Sequence, residues 1–150
     1  EIYTLSLHDA LPIWSSKKTL IEMYHVEDLG YDCMGYVLED GDIFTYHHID
    51  EAKNGGGYTI DNGSILCGNS AHPYLNLIEE YDRGKFLLIN SILLEMNKNK
   101  KIDSDSLKNI HKILLEFEKE FSEEEDKMGN LIIKPNYKVR ILTRTLVRKK

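Results

Sequence analysis

The sequence predicts an α+β fold in which a small strand–strand–helix module packs on a C-terminal helical hairpin. Three observations predict it. Two short β-rich runs, Ile43 to His47 and Ser64 to Cys67, flank a loop rich in glycine and polar residues. A helix start comes directly after them, with Ser70 placed to cap it and Pro73 in its first turn. Two long apolar stripes of helical spacing then succeed each other across a polar connection.

Taken in order, Trp14 to Leu29 is a mixed stretch in which Leu20, Met23 and Tyr24 fit a short helix or a strand equally well. Gly30 and Gly35 punctuate the next piece of chain. Val37 to Asp42 and Ile43 to His47 read as two strands around the Asp40-Gly41 turn. The loop from Asp50 to Asn62 centres on Asn54-Gly55-Gly56-Gly57, which lacks the Lys-Ser/Thr and helix of a phosphate-binding loop. After the Ser64–Cys67 strand, Tyr74, Leu77, Ile78 and Tyr81 give the next helix an apolar face. Phe86, Ile89, Leu93 and Met96 mark one arm of the hairpin. Leu107, Ile110, Leu114, Phe117 and Phe121 mark the other, entered through Ser104 or Asp105. The hairpin closes across residues 97–103. Leu131 to Ile133 and Val139 to Val147 are β-branched, yet Arg140, Arg144 and Arg148 also suit one face of a helix, so both readings stand for this end.

Residues 1–13, Glu1 to Ile13, resemble a translated sequencing-library adapter without a mismatch, and are set aside as an artefact expected to be disordered. The natural start then lies at or before Trp14. What remains is expected to be one domain, residues 14–150. It divides into a site module over about 32–82, a helical scaffold over about 84–122 and a basic segment over 131–150. The net charge is −6, of which Glu1 and Asp9 supply −2, leaving −4. Such a balance excludes a general nucleic-acid coat protein and turns attention to local charge. Residues 116–126 hold seven acids, whereas residues 134–150 hold seven bases and no acid. Lys138, Arg140, Arg144 and Arg148 in that basic end are candidate phosphate contacts, or equally a solvated tail. Cys33 and Cys67 form no CxxC pair and read as buried core thiols; with no secretion signal, the expected location is the cytoplasm. No apolar run reaches the length of a membrane span.

The residues that carry chemistry lie between His47 and Asn76. His47 and His48 close a strand, so alternation sends them to opposite sides and gives them different roles. One faces the next helix and can bind metal; the other faces a substrate cleft. His72 and Asn76, four apart, share one helix face. Asp61-Asn62-Gly63 is itself a strong turn signal.

Together, Tyr46-His47-His48-Ile49, Asn54-Gly55-Gly56, Asp61-Asn62-Gly63-Ser64-Ile65-Leu66-Cys67 and His72-Pro73-Tyr74-Leu75-Asn76 resemble the HNH endonucleases, the ββα-metal nucleases. The resemblance implies an HNH-like ββα-metal module and a nuclease cutting phosphodiester bonds in nucleic acid, DNA before RNA. It implies His48 as general base, since neutral imidazole titrates in the useful range. It implies Asn62 as the side chain that orients that base. His47 and His72 match metal ligands, and Asn76 matches the last ligand position. The implied cofactor is one divalent ion, with Mg²⁺, Mn²⁺, Zn²⁺ and Ni²⁺ all compatible with such donors. The sequence departs from the family in two places. Ile49-Asp50-Glu51 stands where many members carry a proline, and the paired CxxC motifs are missing. Two alternatives stand beside the nuclease. One is an HNH-like protein that binds metal or a partner without cutting. The other is a structural zinc module of Cys33, Cys67 and two of His47, His48 and His72, with the acidic segment facing a protein partner.

Overall fold

The structure, a computed structural model, describes residues 15–50 and 57–128, with side chains described as far as residue 120. Residues 15–24 form a helix (α1) that buries Ser16, Leu20 and Tyr24, one turn apart on a single face. His25 takes a left-handed conformation and separates α1 from a single turn of helix, Val26–Leu29 (α2). Gly30, at φ 80°, closes that turn by donating its N–H to the Val26 carbonyl, a conformation that favours glycine.

Two strands come next, Phe44–His48 (β1) and Gly63–Cys67 (β2), paired antiparallel from Phe44 opposite Cys67 to His48 opposite Gly63. Backbone hydrogen bonds extend the ladder by one pair at each end, from Gly68 N–H to Ile43 and from Ile49 N–H to Asn62. The expected strand over residues 37–42 does not form. Asp40-Gly41 is a turn, but Val37 makes only an isolated bridge to Tyr31. The reason is competition for edges. β1 pairs with β2, while residues 32–36 dock on the other edge of β2. There the Ile65 carbonyl accepts from Cys33 N–H, and the Asp32 carboxylate accepts from Cys67 N–H. The outer edge of β2 is thereby covered.

Helix Ala71–Tyr81 (α3) starts after Ser70 with Pro73 in its first turn; the Ser70 hydroxyl makes no capping bond. Its buried residues are Ala71, Tyr74, Leu75 and Ile78. Tyr81, expected on that face, is half exposed, and Leu75 takes the inward position because α3 packs on both β2 and the next helix. That helix, Arg83–Asn99 (α4), is capped by the Asp82 carboxylate on Lys85 N–H at 3.2 Å. Helix Ser104–Met128 (α5) is entered one residue earlier than expected, through Asp103, which accepts from Ser106 N–H at 2.8 Å. Phe86, Ile89, Leu93 and Met96 on α4 and Ile110, Leu114 and Phe117 on α5 belong to one continuous core, and Leu107 on α5 is buried as well. Lys85 ties the two helices at the surface by binding Glu120 at 3.0 Å as well as Asp82. The fold is therefore α+β, and α4 is its central element, touching α3, α5, β2 and the turn before β2.

Candidate functional site

Alternation along β1 divides the two histidines as the sequence requires. Thr45 and His47 face α3 and α4; Tyr46 and His48 face the other way. His48 lies half-buried, with its ring 4.9 Å from Tyr46 and 4.6 Å from Tyr58. The Tyr46 hydroxyl is in turn anchored on the Thr59 carbonyl at 2.7 Å.

His47 is 5 % exposed, and its Nε2 lies 2.9 Å from Asn90 Oδ1 on α4. Its ring meets that of His72 edge to face, with centroids 5.4 Å apart. β1 and α3 thus bring the two expected metal ligands side by side. Asn76 is exposed one helical turn beyond His72. The hydrogen bonds also fix where the protons sit. Thr45 Oγ1 donates its only hydrogen to the Leu66 carbonyl at 2.8 Å, so its 2.7 Å contact with His72 requires His72 Nδ1–H as donor. Nε2 of His72 then carries a free lone pair. By the same logic, donation from His47 Nε2 to the Asn90 oxygen leaves Nδ1 of His47 with the lone pair. Both rings are kept neutral. Burial pushes the His47 imidazole down to about 4, against the pull of its Asn90 hydrogen bond, and the neighbouring His72 and His48 act in the same direction as burial. Burial also lowers His72. Neutral, tautomerically fixed imidazoles with one free nitrogen each are the donor form that a divalent ion requires.

Asn62 ends a 3-10 turn, Ile60–Asn62, and is fully buried. Its Oδ1 accepts from Asp50 N–H at 2.9 Å, and its Nδ2 donates to the Asp50 carbonyl at 2.7 Å. Its own carbonyl accepts from Ile49 N–H at 3.0 Å. Three hydrogen bonds therefore hold the two residues directly after His48, so the turn signal and the site signal at Asn62 are one feature.

Beside His47 opens a cleft of about 410 Å³ between α3, α4 and the segment after β1. Asp50, Glu79, Arg83 and Asn90 give it polar walls, and Ile49 and Leu94 supply apolar ones. Arg83 pairs with Glu79 at its mouth, at 3.2 Å.

Other expected residues are not gathered here. Cys67 pairs with Phe44, three positions along the ladder from the His47–Ser64 pair, roughly 10 Å at strand spacing. Both thiols are buried, and burial pushes Cys33 up to about 12 and Cys67 higher still. Among the described residues no three His, Cys, Asp or Glu side chains converge to hold a metal ion. Among the described residues the donor set near His47 is thus two imidazoles, with the Asn76 amide one turn further along α3. Lys138, Arg140, Arg144 and Arg148 lie outside the described residues, as do the expected adapter residues and Asn54-Gly55-Gly56 of the loop centre.

Sequence reasoning missed Thr45, Asn90 and Asn97. Asn97 donates from Nδ2 to the Ile60 and Gly63 carbonyls, both at 2.8 Å, and so holds the turn that carries Asn62. The signal was present: Asn90 and Asn97 are polar residues on the buried stripe of α4, seven apart, beside Ile89 and Met96. No family model, curated protein or solved structure matches the chain. No helix among the described residues is long and apolar enough to cross a membrane.

Proposed function

We propose that this chain is a metal-dependent endonuclease of HNH type, hydrolysing phosphodiester bonds in nucleic acid, with DNA as the first substrate to test. The observation that carries this reading is the meeting of His47 and His72, with one nitrogen of each ring already engaged, Nε2 of His47 by Asn90 and Nδ1 of His72 by Thr45. Two further features support it: His48 lies on the opposite face of the same strand end, and Asn62 locks the backbone just behind it.

In this reading His48 takes a proton from the attacking water. The water oxygen bonds to phosphorus as the bond from phosphorus to the 3′-oxygen breaks, and the leaving oxygen takes a proton from solvent. Asn62 keeps the His48 backbone fixed, so that the imidazole need not reorganise. His47 and His72 supply two nitrogens for a divalent ion, and Asn76 supplies an amide oxygen nearby. Bound there, Mg²⁺, Mn²⁺, Zn²⁺ or Ni²⁺ would stabilise charge on the phosphate and on the leaving oxygen. The bases Lys138, Arg140, Arg144 and Arg148 supply phosphate contacts from the C-terminal segment.

A second reading, metal binding without cleavage, keeps the His47–His72 contact and gives His48 no proton to take. Plasmid nicking in each of the four metals separates the two. Wild type should convert supercoiled to nicked DNA, and His48→Ala should slow this by roughly 10²- to 10⁴-fold. Failure of wild type to nick in any of the four metals, with metal bound, would select the second reading. Equal nicking by both proteins would identify a contaminant and remove the support for cleavage.

A further inference from the structure

The helix α4 lies outside the strand–strand–helix unit, yet two of its buried side chains reach into the site. Asn90 and Asn97 stand seven residues apart on the face that packs against β2 and the turn before it. At the α4 rise of about 1.5 Å per residue they are roughly 10 Å apart. Asn97 holds the Asn62 turn through two carbonyls. Asn90 is 6 % exposed, meets the His47 ring at 2.9 Å and also lines the cleft. A buried asparagine on an apolar stripe costs stability unless its amide is satisfied. An apolar residue at position 90 would remove that cost but leave the buried His47 Nε2–H without its acceptor.

We propose that Asn90 is a positioning residue: its amide oxygen selects the His47 tautomer with the proton on Nε2 and so reserves Nδ1 as the donor to a divalent ion. This rests on the reading of His47 as a metal ligand. The chemistry is that of an acceptor behind a ligating histidine. The acceptor fixes the ring's rotation and tautomer and makes the remote nitrogen a better donor. Thr45 does the same for His72 from within the module, with its own proton committed to Leu66. Asn90 acts from a helix that the module does not contain. An HNH-like module cut away from α4 would therefore lose the restraint on one ligand and keep it on the other.

The test separates this from the nuclease reading because its first readout needs neither metal nor DNA. Long-range proton–nitrogen spectra of the metal-free protein near pH 7 report which nitrogen of each histidine is protonated. Wild type should have His47 protonated on Nε2 and His72 on Nδ1. Asn90→Leu should turn His47 into a mixture of tautomers and leave His72 unchanged. Asn90→Asp, which can only accept, should keep the Nε2–H form and serves as the decisive variant if Asn90→Leu does not fold. Titration with Ni²⁺ or Mn²⁺ should then show affinity reduced ~10- to 100-fold in Asn90→Leu and retained in Asn90→Asp. His47 protonated on Nδ1 in wild type would overturn the proposal. So would loss of the Nε2–H form in Asn90→Asp, or a folded Asn90→Leu with tautomer and affinity unchanged. Wild type that has the stated tautomers but nicks no DNA would remove the nuclease reading and leave the role of Asn90 standing.

Discussion

At one end of the β1–β2 ladder the Asp32 carboxylate accepts three backbone N–H groups, from Met34, Tyr36 and Cys67. At the other end the Asn62 amide holds both backbone polar groups of Asp50. Each is a fully buried side chain that locks a loop onto a strand end. The ends differ in what surrounds the lock. Around Asp32 the neighbours are thiols and tyrosines, and Cys67 Sγ is itself committed to the Tyr36 carbonyl at 3.4 Å. Beside Asn62 stands His48, opposite Gly63, and one pair further in His47 keeps a free nitrogen after its hydrogen bond to Asn90 is made. The same device thus serves stability at one end and presents donors at the other. A buried polar residue alone does not mark a site.

Substitutions can break this contrast, and the largest effect is expected at Asp32. Asp32→Ala strands three buried N–H groups, at about 1–3 kcal/mol for each group left unpaired. It should cost about 4 kcal/mol or more in urea unfolding and leave metal affinity unchanged in whatever fraction remains folded. A change in metal affinity without a loss of stability would reverse the assigned roles.

The two ends also titrate in opposite senses. Burial raises Asp32 to about 6 from an ordinary 3.8, against the pull of its hydrogen bonds from Cys67, Tyr36 and Met34. The folded state therefore keeps a proton that the unfolded state has lost, and this stability, present below pH 3.8, is lost as pH rises through about 6. His47 is lowered from 6.5 to about 4, so its contribution is present above pH 6.5 and lost as pH falls through about 4. Each amounts to roughly 3 kcal/mol at ~1.4 kcal/mol per pH unit. In metal-free buffer the two oppose each other between pH 4 and 6. Asp32→Asn should expose the His47 loss on acidification. His47→Gln should expose the opposite slope, with stability rising as pH falls, partly offset by His72, which burial shifts the same way as His47. Parallel slopes in the two variants would contradict the assignment.

A smaller effect is expected at Gly63, where β2 begins opposite His48. A Cβ there would stand 2.5 Å from both Leu20 Cδ1 and Tyr46 Cε2. Gly63→Ala should cost about 1–3 kcal/mol by overpacking. Since the Tyr46 ring packs edge-on against His48 at 4.9 Å, its displacement should also slow nicking. Smallest in stability is Asn62→Ala, about 1–2 kcal/mol for the lost pair of hydrogen bonds. Its effect on nicking should be the larger one, ~100-fold, because it frees the backbone behind His48. Equal nicking by Asn62→Ala and wild type would mean the lock is structural at both ends.

Much of this was legible in the sequence. The spacing of Phe86, Ile89, Leu93 and Met96 marked the first arm of the hairpin, and Leu107, Ile110, Leu114 and Phe117 marked the second. His47, His48, Asn62 and His72 were singled out by alternation, a turn signal and a one-turn helical pair. The choice of strand partner was not legible, because residues 37–42 have the composition of a strand but residues 32–36 dock on β2 instead, through Cys33 N–H on the Ile65 carbonyl and the Asp32 carboxylate on Cys67 N–H, 35 positions away. Tyr81 was misplaced because helical periodicity does not say which of two neighbouring faces a second helix will cover. Asn90 and Asn97 were hidden for a related reason: an apolar stripe is read by its apolar members, and its polar ones are passed over.

Everything proposed for the site depends on a divalent ion settling at the His47–His72 pair. A Mn²⁺ titration of the nitrogen-labelled protein addresses this head-on, through paramagnetic broadening of individual histidine ring signals. His47 and His72 should broaden first and together, at near-stoichiometric Mn²⁺, and His72→Ala should abolish the effect at His47. Broadening that begins among the acids of residues 116–126, or that reaches His47 and His72 no earlier than His111 on α5, would contradict it.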